Sequence, residues 1–257
     1  MPQDKISERA LREREQYNQG SVERESYHNV LSHTGFFSNQ RRMKIVTDIF
    51  KKYVENKTGI EIGSKVWLRW IERTNIRPEK LTCINISQRE LDKSIDLSST
   101  TNIKPEFRLM DAHHLDFDDE SCDFVFGAAI LHHLDYTQAL NEIRRVLKPG
   151  GIMVFMEPLD INPIGKMVRL LTPKSRTVDE KPLGLKEIRA LRERFNCQFY
   201  FDEFFSVPFG VLSKILFKKS DNIMMRFVFY SDLFVEKSFL PARYLYRKVT
   251  IIGVRQR

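Results

Sequence analysis

The sequence predicts an α/β fold in which a parallel sheet is covered by helices on both faces. Short apolar runs alternate with stretches of helical period from Thr58 onward, and glycine or a small polar residue closes most of the runs. That alternation is the signature of repeated βαβ units. Open parallel sheets bind ligands at the carboxyl ends of their strands, near the point where strand order reverses. Gly63, Asn85, Asp111 and Ala128 each end or follow a run, and they mark where chemistry is to be sought.

Each element has its own signal. The N-terminal residues, MPQDKISERALREREQYNQ, read as a charged helix or a frayed tail. Arg41 to Val54 places Met43, Ile45, Val46, Ile49, Phe50 and Tyr53 at helical spacing, which predicts an amphipathic helix. Thr58–Gly63 is a first strand ending in glycine, and Trp67–Thr74 a helix. Leu81–Ile86 is a second strand, followed by Ser87 and Glu90 at the spacing of a capping box. Phe107–Met110 and Asp123–Ala128 are the third and fourth strands. Tyr136–Leu147 is a helix with Leu140, Ile143 and Leu147 on one face, stopped by Lys148-Pro149-Gly150-Gly151, and Ile152–Met156 is the fifth strand. After Glu157-Pro158 comes a long, partly helical excursion rich in Arg and Lys. Phe199–Phe201 and Lys248–Val254 read as closing strands, with an apolar helical region from Val211 to Tyr246 between them.

Bulk composition bounds the function. The chain has 257 residues, 42% of them hydrophobic, enough for a sizeable core. Its net charge of +8 admits attraction to nucleic acid, anionic lipid or an acidic substrate. The basic clusters Arg41-Arg42 and Lys218-Lys219 are short, and acids are interspersed. Three distant cysteines, Cys83, Cys122 and Cys197, form no CxxC pair. They predict reduced thiols, no disulfide framework and no metal site. No run approaches the ~20 apolar residues of a membrane span, and the start of the chain has no apolar signal core. The expected location is cytoplasmic.

The motifs taken together carry a resemblance. EIG at the first strand, INIS at the second, DAHHLDF after the third, DFVFGAAILHHL at the fourth and EIRRVLKPGGIMVFMEP at the fifth resemble the class I S-adenosylmethionine-dependent methyltransferases. The likeness runs over roughly residues 55 to 160, and the segment after the fifth strand resembles some bacterial members. It implies a Rossmann-like three-layer α/β/α sandwich with a mostly parallel seven-stranded sheet and an antiparallel last strand. It further implies one domain: N-terminal helices over residues 1–55, a cofactor-binding core over 56–158, a lid and substrate region over 159–247, and a closing strand over 248–257.

The resemblance implies that S-adenosylmethionine is held by Glu61, Gly63, Ser64, Asn85, Ile86, Asp111, Ala112 and Ala128. The family's first loop usually reads E-x-G-x-G-x-G, whereas this chain has Lys65 and Trp67 where the second and third glycines would stand. Side chains there either obstruct the cofactor or leave a drifted loop that still binds; Lys65 could also pair with the cofactor carboxylate. Asn85 replaces the family's ribose-binding acid, and its carbonyl accepts without charge assistance. Ile86 would lie against the adenine or pack in the core. Asp111 matches the acceptor for the adenine amino group, and His113 and His114 beside it read as surface or packing residues. His132 and His133 follow the fourth strand, where an imidazole is placed for general-base work or for shaping a pocket. Glu157-Pro158 could line the pocket. Arg169, Arg176, Asp179 and Glu180 form either a salt-bridged lid or solvated charges.

The expected function is methyl transfer to oxygen or nitrogen of a small molecule or peptide natural product. The alternative keeps the fold and abandons normal cofactor use, as a non-methylating enzyme or a partner-binding protein. Nucleic acid ranks last, because Gly127-Ala128-Ala129-Ile130 stands where an Asn-Pro-Pro-Tyr-like tetrad would be. The aromatic residues beyond Phe204, interleaved with Lys214, Lys218, Lys219 and Arg226, suit either the core or a surface facing a membrane or an apolar substrate.

Overall fold

Val, Ile and Phe runs buried on both faces form the centre of one sheet, as parallel strands under two helical layers must. The computed structural model describes residues 8–19, 32–162, 166 and 180–256. Its strands are β1 (Thr58–Ile62), β2 (Lys80–Asn85), β3 (Glu106–Leu109), β4 (Cys122–Ala128), β5 (Leu147–Pro158), β6 (Asn196–Asp202) and β7 (Lys248–Val254). They form a seven-stranded sheet of order β3-β2-β1-β4-β5-β7-β6. β7 runs antiparallel to both β5 and β6, and the remaining pairs are parallel. β1 pairs with β2 on one side and β4 on the other, so chain progression reverses there and the strand tips open a crevice.

Around the sheet lie α1 (Glu8–Gln19), α2 (Phe36–Tyr53), α3 (Trp67–Trp70), α4 (Gln88–Ser98), α5 (Tyr136–Val146), α6 (Leu185–Arg194), α7 (Ser206–Leu216) and α8 (Ile223–Ser238). One core layer gathers Val46 and Phe50 of α2 with Trp67, Trp70, Phe124 and Phe126. Phe50 meets Phe126 and Trp70 edge-on, with centroids 5.2 and 5.9 Å away. The other layer seats Leu140, Ile143 and Val146 of α5 against Val125, Met153 and Phe155.

Several elements differ from their sequence signals for local reasons. The Trp67–Thr74 helix breaks after Trp70 into a 3₁₀ turn. There Thr74 Oγ1 bonds back to the carbonyls of Trp70 and Ile71, and Asn75 at φ 59° ends the turn. The Ser87 hydroxyl does cap α4 by accepting from Glu90 N–H. The reciprocal half of the capping box is missing, because Ser87 N–H donates to Asn85 and the Glu90 carboxylate faces Lys65 and Lys93. Lys148–Gly151 does not separate helix from strand; β5 begins at Leu147, with Gly150 at φ 81° making the bend. Val211–Tyr246 resolves into α7, α8 and a 3₁₀ turn.

The Arg41-Arg42 pair is no surface patch. Arg42 is buried against Asp202 at 3.3 Å, and Arg41 reaches Asp202 at 3.2 Å and Glu236 at 2.6 Å. These ion pairs tie α2 to β6 and α8, and they take two of the charges that could attract nucleic acid out of play. Among the described residues no helix is long and apolar enough to cross a membrane.

Candidate active site

The first loop is held by what surrounds it. Gly63 sits at φ 110°, a backbone region closed to other residues, and Ser64 follows at φ 53°. The Glu61 side chain, fully buried, receives Lys65 N–H at 2.8 Å, Val66 N–H at 2.5 Å and the Cys83 thiol at 3.1 Å. It therefore fastens the loop from behind. Burial, only partly offset by these bonds, raises its pKa to about 7. An acid whose pKa is higher folded than unfolded withdraws stability as pH rises between the two values. Wild-type stability should accordingly fall between pH 5 and 8, and Glu61→Gln should recover about 3 kcal/mol of that loss in chemical denaturation at the upper pH.

Asn85 ties the loop from the next strand. Its Nδ2 donates to Gly63 O at 2.9 Å and Ser64 Oγ at 3.0 Å, while Oδ1 accepts from Ser87 N–H at 2.9 Å. Donors and acceptors fix the amide's orientation, and one lone pair on Oδ1 remains for a ligand. Ser64 is buried, with Ser94 Oγ donating to its carbonyl.

A cavity of about 220 Å³ opens at the tips of β1, β2 and β4 and the residues after β3. Of the residues expected to hold a cofactor, Gly63, Asn85, Ile86, Asp111, Ala112 and Ala128 line it; Glu61 and Ser64 do not. Asp111 is the best-prepared group. Its Oδ1 accepts from His113 N–H at 2.9 Å and His113 Nδ1 at 2.6 Å, leaving a buried Oδ2 without a partner. His113 Nε2 in turn accepts from Asp135 N–H at 2.7 Å, which places its proton on Nδ1. Burial raises the Asp111 pKa, but the hydrogen bonds from His113 outweigh it and hold the carboxyl below its ordinary value. His113 is thus no surface or packing residue: it is buried and orients Asp111. His114 pairs with Gln138 at the surface.

The two residues that displace family glycines stay out of the hollow. Trp67 is fully buried beneath the loop, edge-on to Phe107 at 6.2 Å. Lys65 lines the rim, with 57% of its side chain exposed and its ammonium paired to Glu90. Trp67→Gly should therefore fail to widen the cavity and should instead destabilise the protein by about 3–5 kcal/mol, read by denaturant titration.

The opposite wall holds the histidines. His133 lines the cavity, and His132 lies behind it. His132 Nδ1 is 2.6 Å from Glu157 Oε2, whose other oxygen accepts from Ile130 and Leu131 N–H, each at 3.0 Å. Glu157 fixes this corner and is not a wall residue. His133 stands between two residues of α1: Nδ1 is 3.1 Å from Glu13 Oε2 and Nε2 is 3.2 Å from Tyr17 OH. Ala10, Glu13 and Tyr17 share one face of α1 and close the cavity, while Arg9 bonds the carbonyls of His133 and His132. Sequence reasoning missed Glu13, Tyr17 and the role of His113. The i, i+3, i+7 spacing of Ala10, Glu13 and Tyr17 was the one available signal, hidden because that face covers a polar site and not a core. His132, His133 and Glu180 can bring one ligand atom each within 4.8 Å of one another, but both ring nitrogens of His133 are already engaged. Arg169, Arg176 and Asp179 lie outside the described residues.

Residues 60–155 match the family model described as a methyltransferase domain. A dimethylglycine N-methyltransferase of Parasynechococcus marenigrum is 35% identical over 109 residues, covering 41% of this chain and 37% of that protein. A demethylmenaquinone methyltransferase of Staphylococcus epidermidis is 50% identical over 121 residues, covering 42% of this chain and 49% of that protein. The chain thus spans less than half the length of each of these relatives. Among solved structures, a Haemonchus contortus phosphoethanolamine N-methyltransferase 2 in complex with S-adenosyl-L-methionine superposes with a TM-score of 0.57 at 13% identity, covering 83% of this chain and 53% of that one. In its ordered motifs and these matches the chain is similar to S-adenosylmethionine-dependent methyltransferases over residues 60–155, and its sheet has the fold of the class I members.

Proposed function

We propose that this chain transfers a methyl group from S-adenosylmethionine to a nitrogen or oxygen of a small molecule or peptide. The observation that carries the proposal is the cavity at the strand tips, lined by Asp111, whose Oδ2 is buried and has no hydrogen-bond partner, while Trp67 is folded away. That oxygen fits the amino group of an adenine, with Ile86, Ala112 and Leu134 as apolar walls. The free lone pair of Asn85 Oδ1 suits one ribose hydroxyl. When bound, S-adenosylmethionine supplies a methyl already activated on a sulfonium, so positioning accounts for most of the rate. The proton lost by an acceptor N–H or O–H goes to His133 Nε2, directly or through Tyr17 OH, and Glu13 steadies the imidazolium that results. The relatives named for dimethylglycine and phosphoethanolamine support a small nitrogen acceptor.

Isothermal titration tests cofactor use. S-adenosylmethionine and S-adenosylhomocysteine should both give saturable heat. Its absence at high protein concentration favours the second reading, a methyltransferase fold without normal cofactor use, for which the many internal bonds of Asn85 are the supporting observation.

A further inference from the structure

Helices α7 and α8 are amphipathic the wrong way round for a protein surface. α8 turns Met225, Val228, Asp232 and Glu236 inward, at the i, i+3, i+7, i+11 spacing of one face. Two of these are carboxylates, and both are used. Asp232 accepts from Phe204 N–H, Phe205 N–H and Ser206 Oγ, and Glu236 from Phe201 N–H and Arg41. The outward stripe carries Ile223, Phe227, Tyr230 and Phe234, which are 78, 74, 63 and 64% exposed. On α7 the buried positions include Gly210 and Ser213, whereas Phe209, Leu212, Ile215 and Leu216 face out. Among the described residues, nine of the thirteen exposed large hydrophobics fall between Phe209 and Phe239, so this apolar surface is concentrated and not scattered.

Charge decides what covers it. Residues 206–238 contain five bases, Lys214, Lys218, Lys219, Arg226 and Lys237, against three acids. Asp232 and Glu236 are buried, which leaves Asp221 as the one exposed carboxylate of the hairpin. A second copy presenting the same basic face would be repelled; an anionic bilayer would be attracted. At 11 and 16 residues, α7 and α8 are about 16 and 24 Å long, and aromatic, aliphatic and lysine side chains on one face are the composition of helices that lie in a lipid interface.

We propose that the α7–α8 hairpin is a peripheral membrane-docking surface for anionic lipid. The outward aromatic stripe enters the headgroup boundary, and Lys218 and Lys219, at the turn between the helices, contact lipid phosphate. The docking is independent of what the cavity binds.

Flotation with phosphatidylcholine vesicles, with and without about one-third phosphatidylglycerol, tests it. The full chain should float with the anionic vesicles, and Phe227→Ser with Phe234→Ser should reduce the bound fraction at least about tenfold. Both sites are exposed, so circular dichroism and melting should be unchanged and a folding defect is thereby separated. Indole emission of Phe234→Trp should shift to the blue on adding the same vesicles. No flotation and no shift overturn the proposal; so does a dimer, seen by analytical ultracentrifugation, that the double substitution dissociates, since the face would then join two copies of the chain.

Discussion

Replacing Asp111 by alanine should weaken S-adenosylhomocysteine binding about 10- to 100-fold, measured by isothermal titration. The expectation follows from two losses. The cavity wall loses a buried carboxylate oxygen that has neither a hydrogen bond nor an ion pair among the described residues, and a hydrogen bond to a charged acceptor is worth about 1.5–3 kcal/mol. The substitution also strips the acceptor from His113 Nδ1 and N–H, so a stability loss of about 1–3 kcal/mol should accompany it. Asp111→Asn separates the two effects. Its carbonyl can still accept from His113, which spares stability, but an amide NH₂ then faces the donor of the ligand. A His113→Ala change should lower affinity as well, without touching the cofactor, because Asp111 loses the bonds that aim it. Unchanged affinity in all three would mean that the nucleoside does not sit against β3.

Replacing His133 by alanine should lower the rate of methyl transfer about 10²- to 10⁴-fold for any acceptor that turns over, the usual contribution of a general base. Its effect on S-adenosylhomocysteine affinity should be small, since the nucleoside end is proposed to lie against Asp111 and Asn85. Tyr17→Phe then distinguishes two proton paths. If the proton passes through the phenol, the rate should drop comparably; if His133 Nε2 takes it directly, removing a hydroxyl 3.2 Å away should change little. Glu13→Gln keeps the size but removes the carboxylate 3.1 Å from Nδ1 that would steady an imidazolium, so a reduced rate is expected in either case. A full rate in His133→Ala would reduce the histidine to a wall of the cavity, leaving transfer to positioning alone.

How much of this was legible before the structure depends on the kind of signal. The strands β1, β2, β4 and β5 announced themselves because they are largely buried on both faces and so read as apolar runs, whereas β3, an edge strand with Glu106 and Leu109 exposed, carries a weaker signal. The reversed closing pair, β6 and β7, was visible as strand-like runs, but their antiparallel setting came from the resemblance alone. The strand-tip residues Asn85, Asp111 and Ala128 were found because topology places ligands there. What the sequence hid were bonds made at long range. Nothing local in Asn85 shows that its amide is spent on Gly63, Ser64 and Ser87, and nothing local in His113 shows that Asp135 fixes its tautomer. Trp67 looked like an obstruction because the family pattern has glycine there; the short helix that begins at it swings the indole into the core, away from the cavity. The N-terminal helix was legible as a charged helix and illegible as a wall, since the face it buries contains Glu13 and Tyr17 and has no apolar stripe.

The most direct test of the central claim is a crystal structure of the chain with S-adenosylhomocysteine. The adenine amino group is expected within hydrogen-bonding distance of Asp111 Oδ2, with Trp67 still beneath the loop and Lys65 at the rim. A cavity that stays empty at millimolar nucleoside, or a nucleoside bound elsewhere on the sheet, would contradict it.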